Sequence, residues 1–264
     1  MKRRAVMIIC LLTAAAAWAD VGSVISSFRL TGIGTPRAQG IFRDWDYLYA
    51  VVYTDGADYL RTYTPAGSLV RSVVLEGAAA ASDADYSLLG NGYIDVFDSS
   101  SKMLLTYTKE GELVNSKPLP SDTTAFAYHP GGIRYYLARG EHVFRYTLND
   151  VLVNQFYVGG VLGGLASSPA YDGKGGGYVV AGRSGAGGYT YVYRGTGSLV
   201  DSFVVPGVGT YGSTVARGYP RSYHRSYWCV QQISGGRWAF QVDINGTAPA
   251  VLPASLGKVR ALYR

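Results

Sequence analysis

A short phrase recurs along the chain at intervals of 39 to 49 residues, and it constrains the fold more than any other feature. The two clearest copies are YTPAGSLVRSV at 63–73 and YTKEGELVNS at 107–116. Six copies align on one central position, called the anchor: Gly22, Gly67, Gly111, Asp150, Gly197 and Gly246. A unit of this length cannot bury a core alone, so each copy must pack against its neighbours.

Each repeat contains a predicted hairpin centred on a turn that ends at the anchor. Bulky residues alternate before the turn, as in Tyr59, Arg61 and Tyr63, and period-two bulk is typical of a half-buried strand. We call the strand before the turn c and the strand after it d. Two further strands, a and b, precede each hairpin, for example AQGIF (38–42) and DYLYAVVY (46–53). Four short strands per 40–50 residues predict an all-β fold, a β-propeller.

Proline predicts which strand lies at the edge of each sheet. Pro118, Pro249 and Pro253 fall in d strands at positions of one parity relative to their anchors. Since proline lacks an N–H group, it is tolerated where that direction faces no partner strand. The d strand is therefore predicted to be the outermost one.

The number of strands leaves the closure of the ring open. There are six d-type strands, including 22–30 and a degenerate 246–254, but only five complete a–b–c–d sets. We predict about six blades: five complete four-stranded blades and a reduced closing blade formed from both termini, 22–30 and 258–264. The alternative is a five-blade ring in which both end segments join the closing blade.

The first nineteen residues are predicted to be a signal peptide. A basic start, an apolar run and the sequence Ala17-Trp18-Ala19 follow the pattern of a cleavable leader, and the run is too short to span a membrane. Residues 20–264 then form a single secreted propeller domain, which is extracellular, at the cell surface or periplasmic. Removal of the leader takes three of the 24 basic residues, which lowers the formal net charge from +6 to +3. So small a charge argues against nucleic-acid binding.

The repeat pattern Y-T-x-x-G-x-L-V-x-S-F resembles secreted bacterial β-propeller repeat proteins, which are distantly similar to NHL- and YVTN-type propellers. The resemblance covers nearly the whole mature chain. It implies the fold but says little about activity, because propellers serve as hydrolases, lyases, lectins and scaffolds.

The residues that most often carry chemistry show no catalytic or metal-binding pattern. The three histidines, His129, His142 and His224, lie in different repeats, and the sequence contains no zinc motif. Asp83, Asp85, Asp95 and Asp98 could offer oxygen ligands to calcium, but they match no complete ligand loop, so we interpret them as a solvated turn. We predict no cofactor and no metal. Cys229, the one cysteine after the leader, is interpreted as a small buried hydrophobe.

The segment ARGYPRSYHRSYW (216–228) is the best candidate for a binding site. It is the longest a–b connection, and arginine interleaved with aromatic rings suits acidic protein surfaces or carboxylate-bearing glycans. The alternative is that these side chains decorate a long hairpin. Together with one residue in the equivalent connection of another blade, the candidate ligand-binding residues are Arg217, Tyr219, Arg221, Tyr223, His224, Arg225 and Trp45.

Two functions remain open at this point. The favoured one is a non-enzymatic binding or scaffold domain that contacts an extracellular protein or glycan. The alternative is a propeller enzyme of the glycosidase or lyase type, which would need two convergent carboxylates near the axis. The predicted axial strands contribute only Asp83 and Asp85, so the enzyme ranks second.

Overall fold

The computed structural model describes ten stretches of the chain. They are residues 24–30, 40–43, 46–90, 92–129, 134–168, 178–183, 189–204, 214–217, 226–233 and 236–243.

The described residues form twenty β-strands and no helix. The strands are β1 (Val24–Arg29), β2 (Ile41–Arg43), β3 (Leu48–Thr54), β4 (Ala57–Tyr63), β5 (Leu69–Val74), β6 (Ala81–Tyr86), β7 (Tyr93–Asp98), β8 (Met103–Thr108), β9 (Leu113–Pro118), β10 (Thr123–Tyr128), β11 (Arg134–Arg139), β12 (His142–Thr147), β13 (Leu152–Tyr157), β14 (Leu162–Ser168), β15 (Tyr178–Arg183), β16 (Tyr189–Arg194), β17 (Leu199–Val204), β18 (Thr214–Arg217), β19 (Ser226–Ile233) and β20 (Gly236–Asp243).

The strands assemble into five antiparallel sheets of four strands each. Four sheets use consecutive strands, and we number them blade 1 (β2–β5), blade 2 (β6–β9), blade 3 (β10–β13) and blade 4 (β14–β17). The fifth sheet, blade 5, combines β18, β19 and β20 with β1. The first strands of the blades contact one another in a closed cycle, β2 to β6, β10, β14, β18 and back to β2. This arrangement confirms the predicted β-propeller, with the a strands around the axis and the d strands outermost.

The closure places β1 in the last of five sheets, as the five-blade alternative expects for the N-terminal segment, and not in a reduced sixth blade. β1 pairs with β20, with Phe28 opposite Ala239 and Arg29 opposite Trp238, so it fills the outer position of a complete blade. A strand has two hydrogen-bonding edges, and β19 and β1 occupy both edges of β20. The outer position that the sequence assigns to 246–254 is held by β1, and the six-blade count is not confirmed. Residues 246–254 and 258–264 themselves lie outside the described residues.

The repeated phrase encodes the turn between strands c and d. At Gly67 the backbone has φ = 88°, and its N–H donates to the Thr64 carbonyl, while Thr64 N–H donates to the Ser68 carbonyl. The same two hydrogen bonds recur at the turns of blades 2, 3 and 4. The Thr64 side chain also accepts the Ser68 N–H at 3.1 Å. A positive φ is the reason for glycine at the anchor, and Asp150 takes the same conformation at φ = 62°.

Residues after the anchor join each blade to the next one. Four positions after the anchor, Arg71 donates to the Lys109 carbonyl at 2.6 Å, and Asn154 donates to the Gly195 carbonyl at 3.4 Å. Both carbonyls lie two positions before the anchor of the following blade. The conserved spacing of the phrase therefore serves contacts within a blade and between blades.

At three interfaces, the apolar side chain six positions after an anchor packs against the anchor glycine of the next blade. A Cβ atom added to Gly67 would lie 2.5 Å from the ring of Phe28, and one added to Gly197 would lie 2.4 Å from the Cβ of Phe156. Val73 makes the corresponding contact with Gly111. We call this inward residue the plug. Two separate requirements therefore favour glycine at the anchor. Its backbone has a positive φ, and the plug residue packs where a Cβ atom would otherwise lie.

The interior between the sheets is aromatic. The largest fully buried side chains include Trp228, Tyr63, Tyr107 and Tyr136. Cys229 lies among them at 3% exposure, and burial raises the pKa of its thiol to about 12. The interpretation of Cys229 as a buried hydrophobe is confirmed.

Candidate binding site

The interface between blades 2 and 3 departs from the plug-and-glycine pattern. Its anchor is Asp150 instead of glycine, and its plug position holds Lys117 instead of phenylalanine or valine. Lys117 Nζ lies 2.5 Å from Asp150 Oδ1, and the Tyr135 hydroxyl donates to the same oxygen at 2.6 Å. Lys117 Nζ also lies 5.0 Å from the centre of the Tyr135 ring. An ion pair thus replaces an apolar contact at this interface.

A pocket of about 80 Å³ lies beside this ion pair. Because one water needs roughly 10–15 Å³ of such volume, the pocket has room for an apolar group of several atoms. Lys117, the residue at the plug position, extends to Asp150 and lines one side of this pocket. The walls, which come from blades 2 and 3, are Leu88, Leu104, Lys117, Leu119, Phe126, Tyr128, Tyr135, Leu137 and Leu148.

The hydroxyl groups of the two pocket tyrosines are hydrogen-bonded to carboxyl groups that do not line the pocket. The Tyr128 hydroxyl is hydrogen-bonded to the carboxylate of Asp95, and the Tyr135 hydroxyl to that of Asp150. Desolvation by burial, together with these carboxylates, raises the pKa of both tyrosines above its usual range. Both hydroxyls therefore stay protonated, and their orientation is fixed by partners outside the pocket. What the walls offer to a ligand is mainly hydrocarbon and aromatic surface.

Two exposed residues of the pocket wall lie at the end of the blades where the a–b connections and the c–d turns are found. Leu88, in the a–b connection of blade 2, is 42% exposed, and Leu148, in the c–d turn of blade 3, is 44% exposed. Antiparallel neighbours place these two kinds of connection at the same end of a sheet. Leu89 and Val151 beside them are 60% and 61% exposed, so the mouth has an apolar rim.

The charges at the rim compensate each other. Desolvation opposes the ionisation of Asp150, but the hydrogen bonds from Lys117 and Tyr135 outweigh it and lower the pKa of this carboxyl. The Lys117 and Asp150 side chains are 39% and 55% exposed. The site is therefore an apolar pocket with a neutral, solvent-facing ion pair at its edge.

The axial carboxylates hold the inner strands together. Asp83 Oδ2 accepts the N–H groups of Phe126 at 3.1 Å and Leu165 at 3.4 Å, which belong to blades 3 and 4. Asp85 Oδ2 accepts the N–H of Tyr128 at 3.0 Å. Desolvation raises the pKa of Asp83 well above its usual range. These two side chains satisfy backbone groups at the inner edges of neighbouring sheets, where no further strand can pair.

The interpretation of the acidic cluster as a solvated turn is wrong. All four carboxylates are buried, Asp83 and Asp98 at 0%, Asp95 at 2% and Asp85 at 4% exposure. Asp98 accepts the N–H groups of Ala79, Ala80, Ser100 and Ser101, each within 3.0 Å. Burial is possible because each oxygen finds hydrogen-bond donors. Within the described stretches, no group of three or more possible ligands could hold a metal ion.

The site that the sequence predicts falls almost entirely outside the described residues. Arg217 ends β18, where its backbone pairs with Tyr227, but its side chain is not described. Tyr219, Arg221, Tyr223, His224, Arg225 and Trp45 all lie outside the description. That site remains a prediction.

The two remaining histidines outside that segment behave as structural residues. The backbone N–H of His129 donates to the Arg134 carbonyl at 2.9 Å in the β10–β11 connection. His142 begins β12, is half-buried, and packs its ring 5.5 Å from that of Tyr157. The interpretation of His142 as the half-buried start of a c strand is confirmed.

Sequence reasoning missed the pocket, although one signal for it was visible. Asp150 is the single anchor of the six that is not glycine, and Lys117 is the charged residue at a plug position. The link between them appears only when the end of one repeat is compared with the turn of the next.

Taken together, the strand order and the pocket define an all-β propeller with a small apolar site between two of its blades. No protein-family model matches the sequence, and no curated protein matches it. Within the described residues, no helix is long and apolar enough to cross a membrane.

Two solved structures are similar to this chain at low sequence identity. One is a crystal structure of BBS1N in complex with ARL6DN, soaked with mercury, at 15% identity and a TM-score of 0.43, covering 86% of this chain and 74% of that chain. The second is the same complex soaked with lead, at 16% identity and a TM-score of 0.42, covering 82% of this chain and 63% of that chain. The architecture given above rests on strand order and ring contacts, and the resemblance to NHL- and YVTN-type propellers stays a prediction.

Proposed function

We propose that this chain is a secreted, non-enzymatic binding or scaffold domain that contacts an extracellular protein or glycan. The observation that carries the proposal is the apolar pocket between blades 2 and 3, whose mouth is lined by exposed leucines. A concave apolar site with a few polar groups at its edge is the usual form of a binding site. The predicted leader, residues 1–19, supports an extracellular or periplasmic location.

The predicted contact segment is compatible with the same binding face. β18 ends at Arg217 and β19 begins at Ser226, so residues 218–225 of the segment join the two strands, whereas Trp228 at its end is buried in the core. The connection between β18 and β19 is an a–b connection, and β18 ends on the same side of the propeller as β6, the strand that precedes Leu88 in blade 2. We propose that residues 218–225 of this segment and the pocket contribute to one binding face, with Arg221 and Tyr223 as contact residues.

The enzyme alternative receives less support from the described residues. It would require Asp83 and Asp85 to face a cleft, but they are 0% and 4% exposed and bind backbone amides of other blades. A polymer could not reach them without opening the axis of the ring. These two residues are better explained as structural.

The proposal is tested by screening the full mature chain against a glycan array and a random-peptide display library. The double variant Leu88→Glu/Leu148→Glu places two charges at the pocket mouth, and Arg221→Ala/Tyr223→Ala alters the predicted segment. Leu69→Glu is the matched control, because Leu69 is exposed to a similar degree, 43%, on the outer strand of blade 1.

We expect the wild-type chain to retain a ligand that the pocket variant loses and the control keeps. Loss of the same ligand in Arg221→Ala/Tyr223→Ala would support a single binding face, whereas unchanged binding would remove that segment from it. The absence of any ligand in both screens, or equal retention by the pocket variant, would contradict the proposed function.

A further inference from the structure

The three regular interfaces show what normally fills the position beside an anchor. Phe28 packs on Gly67, Val73 packs near Gly111, and Phe156 packs on Gly197. Phe156 is only 8% exposed in this arrangement. The gap between two blades of this propeller is therefore suited to one aromatic or branched aliphatic side chain.

The interface between blades 2 and 3 has no such side chain at its plug position, which holds Lys117. Lys117 extends to Asp150, and the pocket remains beside them. We infer that the pocket receives one phenylalanine- or leucine-sized side chain from an extended segment of a partner polypeptide, which takes the place of the missing plug. This inference rests on the proposed function and specifies the partner of the same site.

The chemistry of the walls favours an apolar side chain over a sugar ring. Sugar recognition needs donors and acceptors that can face many hydroxyl groups, and apolar walls leave buried hydroxyls unpaired at a cost. Here the hydroxyl groups of Tyr128 and Tyr135 are already hydrogen-bonded to Asp95 and Asp150. Leu104, Leu137 and Phe126 supply apolar surface for the remainder of the pocket.

The ion pair at the rim does not select partner segments by their charge. Because Lys117 and Asp150 neutralise each other, the pocket gives no strong preference for acidic or basic neighbours of the inserted residue. Binding at this site should therefore depend little on ionic strength, since screening acts mainly on exposed charge–charge attraction. Binding through the arginine-rich segment 216–228 would instead weaken as salt is added.

The test uses the full mature chain and a random-peptide display library. We expect selected peptides to share one Phe, Leu, Ile or Trp, and replacement of that residue by Ala to weaken binding by about tenfold or more, because it removes a buried apolar side chain. Leu104→Phe fills the pocket from its wall without adding charge, and should weaken the same peptides to a similar extent. Leu113→Phe is the matched control, because Leu113 is 41% exposed on an outer strand.

Thermal unfolding of both variants separates a filled pocket from a damaged fold. If Leu104→Phe does not fold, Leu148→Ser at the mouth replaces it, since an exposed turn residue tolerates the change. Selected peptides that depend on charged residues, equal binding by the filled pocket, or a library without binders would each overturn the inference. Glycan binding that is lost in Leu88→Glu/Leu148→Glu would also overturn it, while leaving the proposed binding function in place.

Discussion

The ion pair between blades 2 and 3 can be converted into a regular plug by two substitutions. Lys117→Phe with Asp150→Gly recreates the pair formed by Phe156 and Gly197 at the next interface. We expect this double variant to be more stable than the wild type by about 1 kcal/mol.

The loss of the ion pair is small, because both side chains are exposed, 39% and 55%, and such pairs contribute about 0–1 kcal/mol. Burial of a phenylalanine side chain contributes about 1.5–3 kcal/mol, of which the alkyl part of Lys117 already supplies a share. Glycine at the left-handed φ of 62° relieves up to about 1 kcal/mol of backbone strain. In the double variant the Tyr135 hydroxyl also loses its Asp150 acceptor, which costs about 1 kcal/mol, and the favourable terms exceed the two losses.

Neither single substitution should give this gain. Lys117→Phe alone places an apolar ring against the Asp150 carboxylate, and Asp150→Gly alone leaves the Lys117 ammonium and the Tyr135 hydroxyl without their acceptor. A double-mutant cycle by urea unfolding, followed by two spectroscopic probes to check two-state behaviour, measures the coupling between the positions. Additive effects within about 0.3 kcal/mol, or a double variant less stable than both singles, would refute the view that the two positions exchange as a pair.

Three further predictions concern the plug, a buried carboxylate and the thiol. Gly197→Ala should destabilise the chain by roughly 2 kcal/mol or more in urea unfolding, because the new Cβ would lie 2.4 Å from the Cβ of Phe156. Gly56→Ala is the control, because Gly56 has a similar φ of 84° but no atom within 4 Å of the added Cβ. Equal losses of stability in the two variants would exclude the packing effect. Asp98→Asn should cost about 2 kcal/mol of stability at pH 7. Desolvation opposes the ionisation of Asp98, but backbone N–H groups outweigh it and lower its folded-state pKa, so the carboxylate stabilises the fold above its unfolded pKa of about 4, and this stability is lost as the pH falls from there towards the lower folded-state pKa. If the variant and the wild type lost stability equally in acid, this assignment would be contradicted. The Cys229 thiol, with its pKa raised to about 12 by burial, should react with a thiol reagent only at the rate of unfolding, and rapid labelling of the native chain would contradict its burial.

The strand order could be predicted because the same pattern of strands and turns occurs in several copies along the sequence. Alternating residues such as Tyr59, Arg61 and Tyr63 identify strand c, the anchor identifies the turn, and Pro118 identifies the edge; the described strands confirm all three. These signals are local, so one sequence is enough to read them.

The strand that completes blade 5 could not be predicted, because two segments carry the d-strand pattern and only one can fill the outer position of that sheet. Residues 22–30 and 246–254 both follow the d-strand pattern, and only the pairing of β1 with β20 decides between them. Counting strands gives the number of candidates but not which edge each one fills.

The site could not be predicted because its residues belong to different repeats. Lys117 and Asp150 form a contact only across an interface, and Leu88 and Leu148 meet at the pocket mouth from two blades. The interpretation of the acidic cluster as a solvated turn was wrong for a related reason. Charge in a turn-rich segment suggests exposure, whereas the donors that allow Asp83 to be buried are backbone groups of blades 3 and 4.

The pairing of β1 with β20 also affects how the chain can fold during synthesis. The ribosome makes the first strand of the described fold some two hundred residues before the strand that receives it. Until the last blade emerges, β1 has no partner, and the unfinished ring has open strand edges that could pair with other chains. A prematurely terminated chain therefore lacks more than its final blade: it is an open arc that is prone to aggregate.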